Sequence, residues 1–198
     1  MVWLDPRTWC WGAVLKHPLF ISIAQLAIGG LVAYLLTERW QRWRQRREFQ
    51  HRTLVKFSEL SYELMDLVAE LLVLRGRMAG DAYVEKRREL LSRWTVFASM
   101  RPEVMAAYGR DFILSVDYQG TVNTLSTLRS YVGAPQPVPQ ERFEPEQEQF
   151  LAYREAVVAH MVHAMGLLSE REWKTEVERS RERIRAAEAA VPASGAGA

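Results

Sequence analysis

The hydrophobic pattern changes character three times along the chain. Residues 18 to 37, PLFISIAQLAIGGLVAYLLT, hold twenty positions without a formal charge. As a helix this run would extend about 30 Å, the depth of a bilayer's hydrocarbon core. It predicts a single transmembrane helix. A cleaved leader is the rival reading. Its apolar run should be followed by small residues, whereas Glu38-Arg39-Trp40-Gln41-Arg42 follows here.

Beyond the run the pattern becomes that of a bundle helix. Trp40, Trp43, Arg47, Gln50, Leu54, Phe57, Ser61, Leu64, Val68 and Leu71 recur at steps of three and four, with Leu60, Leu67 and Leu74 widening the stripe. The span and this helix read as one rod, polar along its seam to Gln50 and able to pack a core from Leu54. Gly80-Asp81 predicts a turn, and a helix from Asp81 to Met100 presents Tyr83, Val84, Leu90, Leu91, Trp94 and Phe97. A third helical segment, 102–132, starts at Pro102 with Gly109 and Gly120 as expected breaks, and Val104, Met105, Tyr108, Phe112, Val116, Leu125, Leu128 and Val132 as its core. Prolines 135, 137, 139 and 145 predict an extended linker over 133–145. One long helix is expected over 146–190, apolar in its first half (Phe150, Leu151, Val157, Val158, Met161, Met165, Leu168). The Glu- and Arg-rich second half would project or pair with a partner. No period-two run is bounded by hairpin turns. The predicted fold is all-α: a transmembrane helix at 18–37 continuing into an antiparallel bundle of about four helices over 38–190. An outer segment, 1–17, precedes it and a disordered tail, 191–198, follows.

Charge sets the expected topology. Arg39, Arg42, Arg44, Arg46, Arg47, Arg52 and Lys56 follow the run, against Arg7 and Lys16 before it. The positive-inside bias predicts a bacterial inner-membrane protein, N-terminus outside and C-terminus cytoplasmic. Trp3, Trp9 and Trp11 on one side and Tyr34, Trp40 and Trp43 on the other fit interfacial belts. The arginine cluster (Arg39, Arg42, Arg46) would meet anionic lipid head groups at about 1 kcal/mol per residue, although a topology signal alone explains it. Net charge is only +2, so nucleic acid is not an expected partner. Within the run, Ser22, Gly29 and Ala33 share a face with Gln25 beside them. That face suits homo-oligomeric helix packing, and less readily the lining of a pore.

The chain carries little catalytic chemistry. Cys10 is the single cysteine, which excludes an internal disulfide and a cysteine zinc site. His160 and His163 lack further ligands in sequence, so no metal or cofactor is expected. Glu59, Glu63, Asp66 and Glu70 lie opposite the apolar stripe and should face water.

Arg154-Glu-Ala-Val-Val-Ala-His160 resembles the short arginine–histidine motif of the HEPN helical ribonucleases, in which the pair works at a phosphodiester, usually across a dimer. The resemblance implies Arg154 and His160 as catalytic candidates. A chance match of the same kind occurs at Arg46…His51. Six residues along an unbroken helix leave two side chains about 120° apart, so a helix break or a second subunit would be needed for them to converge. The layout is also similar to small membrane-anchored helical accessory proteins of bacterial antiphage systems. The leading expectation is a non-enzymatic, membrane-tethered interaction protein that self-associates or recruits a protein partner.

Overall fold

The computed structural model describes residues 18–74, 80–109, 111–134, 136 and 138–190, without the side chains of 18–21, 23, 24 and 74. The expectations for segment 1–17, including Trp3, Trp9, Trp11 and Cys10, and for the tail 191–198 lie outside the described residues. Among the described residues every regular element is a helix: α1 (Pro18–Leu74), α2 (Gly80–Ser99), α3 (Arg101–Tyr108), α4 (Phe112–Gly133), α5 (Gln140–Ala164) and α6 (Glu170–Ala190). The all-α expectation holds. The transmembrane helix is not supported there: no helix of the described residues is long and apolar enough to cross a membrane. The chain divides between Arg46 and Arg47 into two units.

In the unit that starts at Arg47, the predicted seam is the buried stripe of α1: Gln50, Phe57, Ser61, Leu64, Val68 and Leu71, joined by Thr53. Each later helix can be placed by its contacts. Lys86 with Glu70, Arg93 with Glu63, Phe57 against Phe97 at 5.4 Å and Gln50 Nε2 donating to Ala107 O run α2 and α3 antiparallel to α1. Tyr83 donating to Val132 O and Arg101 to Ser115 Oγ run α4 antiparallel to α2. Asp117 with His160 and Arg183 with Glu148 continue the alternation through α5 and α6. Phe57, Phe97 and Tyr118 form an aromatic layer where α1, α2 and α4 meet. Burial raises the Tyr108 and Tyr118 phenols above their ordinary range, so both hydroxyls stay protonated and donate to backbone carbonyls, Gln50 O and Phe97 O.

The expected break at Gly109 is present: its φ of 94° suits glycine, and Asp111 then caps α4 by accepting from the Ile113 and Leu114 N–H groups. Other sequence expectations change. Gly120 does not break α4. It lies against α5, where a Cβ would stand 2.5 Å from Tyr153 Cδ1 and 2.7 Å from Cζ. The linker is shorter than 133–145: α4 runs to Gly133, and α5 begins at Gln140 with Pro145 inside it.

The long last helix is two helices. The chain reverses at Gly166 (φ 69°), and Ser169 restarts it in a capping box, its N–H and hydroxyl both donating to the Glu172 carboxylate. Helix α6 therefore does not project. Val177, Ser180, Ile184 and Ala187 make it amphipathic and are buried against the bundle. Phe112 and Val116, expected in the core, are exposed, as are Val84 and Leu91.

Candidate functional site

The strongest surface anomaly among the described residues lies in the first unit. Leu26, Ile28, Leu31, Val32, Tyr34, Leu35 and Leu36 are between 49% and 76% exposed. At 100° per residue these positions point all around the helix rather than to one side. Ser22, Gln25, Gly29 and Ala33, the predicted packing face, are exposed with them. A Cβ added at Gly29 or Gly30 would meet nothing within 4 Å, so the helix surface there is open to close approach. Trp40 and Trp43 follow, exposed and with ring centroids 5.2 Å apart. Arg39, Arg42, Arg44 and Arg46 are exposed, Arg42 pairing with Glu38 one turn back.

The second candidate, the Arg154/His160 pair, is inside the bundle. Arg154 is 7% exposed, donates from Nε to Ser61 Oγ at 2.7 Å and lays its guanidinium 3.7 Å from the Tyr62 ring centre. His160 is 5% exposed and engaged on both ring nitrogens. Trp173 Nε1 donates to Nδ1 at 3.1 Å, which makes Nδ1 the acceptor. The ring proton then lies on Nε2 and donates to Asp117 Oδ2 at 3.2 Å. The neighbours of the two residues differ, as the 120° separation predicts, and neither faces solvent. His163 stacks on Trp173 at 4.7 Å and contacts the Leu168 carbonyl through Nδ1. This arrangement ties α4, α5 and α6 together. Among the described residues no group of His, Cys, Asp and Glu could hold a metal.

Helix α1 also borders a groove of about 880 Å³ lined by Arg47, His51, Arg52, Val55 and Lys56, with Glu48, Glu59 and Met165 completing it. Arg47 donates to the Met165 carbonyl at the end of α5, and Lys56 pairs with Glu103 at 2.6 Å. Of the predicted carboxylate strip, Glu59, Glu63 and Asp66 are exposed as expected and Glu70 is half-buried, while Glu63 and Glu70 also pair with Arg93 and Lys86 of α2. Sequence spacing did not reach Asp117 or Trp173, which come to His160 from other helices.

These observations define an all-helical bundle preceded on α1 by an uncovered apolar stretch. No protein family, no characterised protein and no solved structure matches the chain.

Proposed function

We propose that this chain is a single-pass membrane-anchored interaction protein that self-associates and presents its helical bundle at the cytoplasmic face of an anionic bilayer. One observation carries the reading: the all-round exposure of the apolar side chains from Leu26 to Leu36. A helix that packs on one partner needs an apolar stripe, whereas a helix dissolved in lipid needs an apolar circumference. In sequence this stretch belongs to the twenty-residue uncharged run, and an exposed tryptophan pair and four arginines follow it in the order expected of a membrane–water interface. The open face at Ser22, Gln25, Gly29 and Ala33 supports helix–helix association within the bilayer.

Fractionation of the full chain tests the anchor. The chain should stay in the membrane pellet after alkaline carbonate washing and leave it only with detergent. Cys10, the single cysteine, should react with an impermeant maleimide from the outer side. Recovery in the supernatant after lysis without detergent would refute the anchor. Self-association is read from the mass of the detergent-extracted particle, which should be a multiple of 22.9 kDa and fall towards that value in Gly29→Leu. An unchanged mass in that variant would refute packing through this face.

A further inference from the structure

We infer that the pocket between α2 and α4 lined by Arg87, Arg129 and Ser130 is an anion site that takes the phosphoryl group of a small soluble phosphate monoester. Every residue it uses belongs to the unit from Arg47 onward, so the site is independent of the anchored reading above.

The seam between these two helices is short of acceptors. Neither the Arg87 nor the Arg129 guanidinium pairs with a carboxylate or donates to an acceptor among the described residues. Trp94, whose ring centre lies 3.9 Å from the Arg129 guanidinium, buries its Nε1–H without an acceptor among them either. The shortage begins in the sequence. Helix α4 has no acidic residue after Asp117, and Glu85 and Glu89 of α2 stand two positions to either side of Arg87, about 160° around the helix from it. Glu89 is in any case held by Arg93, which also takes Glu63. The carbonyls that end α4 draw cations, but Val132 O already accepts from Tyr83 and Tyr131 O from the Ala134 N–H.

The pocket encloses about 310 Å³, at the small end of the range of small-molecule sites. Its charged lining is arginine alone, with the Ser130 hydroxyl beside it and Leu90 and Leu91 as an apolar wall. Both guanidinia are seated in advance. Stacking on Trp94 holds Arg129. Arg87 Nη2 rests 3.2 Å from where a Cβ of residue 133 would stand, in room that Gly133 leaves. Two planar forks carrying two positive charges suit a phosphoryl group, whose three terminal oxygens all accept and share up to two negative charges, better than they suit one carboxylate. A compact organic remainder would then lie against Leu90 and Leu91.

Calorimetric titration of the full chain in neutral detergent, at physiological salt, tests the site with glycerol 3-phosphate, inorganic phosphate and acetate. Glycerol 3-phosphate should bind saturably, inorganic phosphate more weakly and acetate not at all. Arg87→Gln and Arg129→Gln should each weaken glycerol 3-phosphate about ten- to a hundredfold, as loss of charge-assisted hydrogen bonds does. Arg93→Gln, which removes an α2 arginine already occupied by carboxylates, should leave binding unchanged. Arg129→Lys keeps the charge without the fork and should recover only part of the affinity. Far-UV circular dichroism of each variant checks the fold, and the exposed Arg87 carries the test by itself if Arg129→Gln unfolds. Absence of saturable binding, equal binding of acetate, or an equal loss in Arg93→Gln would overturn the inference. Binding of phosphatidic acid in mixed micelles without binding of glycerol 3-phosphate would assign the two arginines to a lipid head group and overturn the soluble ligand.

Discussion

His160→Ala separates a structural from a catalytic role for the arginine–histidine motif. Truncation removes the Nε2–H donor that meets Asp117 Oδ2 and the Nδ1 acceptor that meets Trp173 Nε1. Asp117 is 4% exposed, so its carboxylate is left in the interior without the imidazole. Leaving a buried acceptor without its donor costs about 1–3 kcal/mol, and more where the acceptor is charged. The indole N–H, only part-buried, adds less than the ~1–3 kcal/mol of a fully orphaned donor. Against a domain stability of about 5–15 kcal/mol, the variant loses a large share of its folding free energy. Asp117→Asn is the control. Its amide oxygen still accepts from Nε2–H, and exchanging a charge-assisted for a neutral hydrogen bond costs about 1 kcal/mol. Urea titration of the full chain in detergent, followed by far-UV circular dichroism, measures both. The double variant His160→Ala/Asp117→Ala should be less destabilised than the sum of its singles. A cost below about 1 kcal/mol for His160→Ala would refute a buried clamp. Any phenotype lost in His160→Ala together with a fall in its urea midpoint reports folding, not chemistry.

Three further outcomes are expected. Arg154→Met keeps the aliphatic stem and removes a buried charge, while Ser61 retains its bond to the Ser58 carbonyl, so the urea midpoint should stay within about 1 kcal/mol of the parent or rise; a loss above about 3 kcal/mol would show that the guanidinium holds more than Ser61 and Tyr62. Gly120→Ala gains about 1 kcal/mol of helix propensity but drives its Cβ into the Tyr153 ring, so it should destabilise by a net 1 kcal/mol or so, and Tyr153→Ala in the same chain should remove that penalty in a double-mutant cycle. The hydrogen bonds from Ser169 hold the Glu172 carboxyl below its usual range, so the α6 cap is fully present above that range and is lost as pH falls through the lowered value. The protection of the Ser169 amide, its exchange rate relative to the intrinsic rate at the same pH, should fall under acid in the parent and already be low at neutral pH in Glu172→Ala.

The seam of α1 was readable because one helix face is decided by periodicity alone: Phe57, Ser61, Leu64, Val68 and Leu71 are buried where steps of three and four put them. The exposed strip of Glu59, Glu63 and Asp66 follows from the same geometry. Breaks were harder. Glycine was read as a helix stop at both Gly109 and Gly120, yet only Gly109 takes a positive φ; Gly120 is small because Tyr153 leans on it, a tertiary contact that spacing does not encode. The Gly166 reversal had a local signal, the Ser169-x-x-Glu172 box, hidden inside an otherwise continuous helical pattern. Proline content overstated the linker because Pro145, read as its end, lies inside α5, which starts directly after Pro139. The surroundings of His160 were beyond sequence reading, since Asp117 lies 43 residues away and Trp173 stands across a turn.

The reversal at Gly166 also fixes the parity of the fold. With α2 and α3 counted as one pass, the chain traverses the bundle an odd number of times, so α6 finishes at the end remote from Arg47. Had α5 continued straight, the polypeptide would have left on the side where it came in. A fluorescent protein or purification handle appended downstream of Ala190 is therefore attached at the end remote from Arg47.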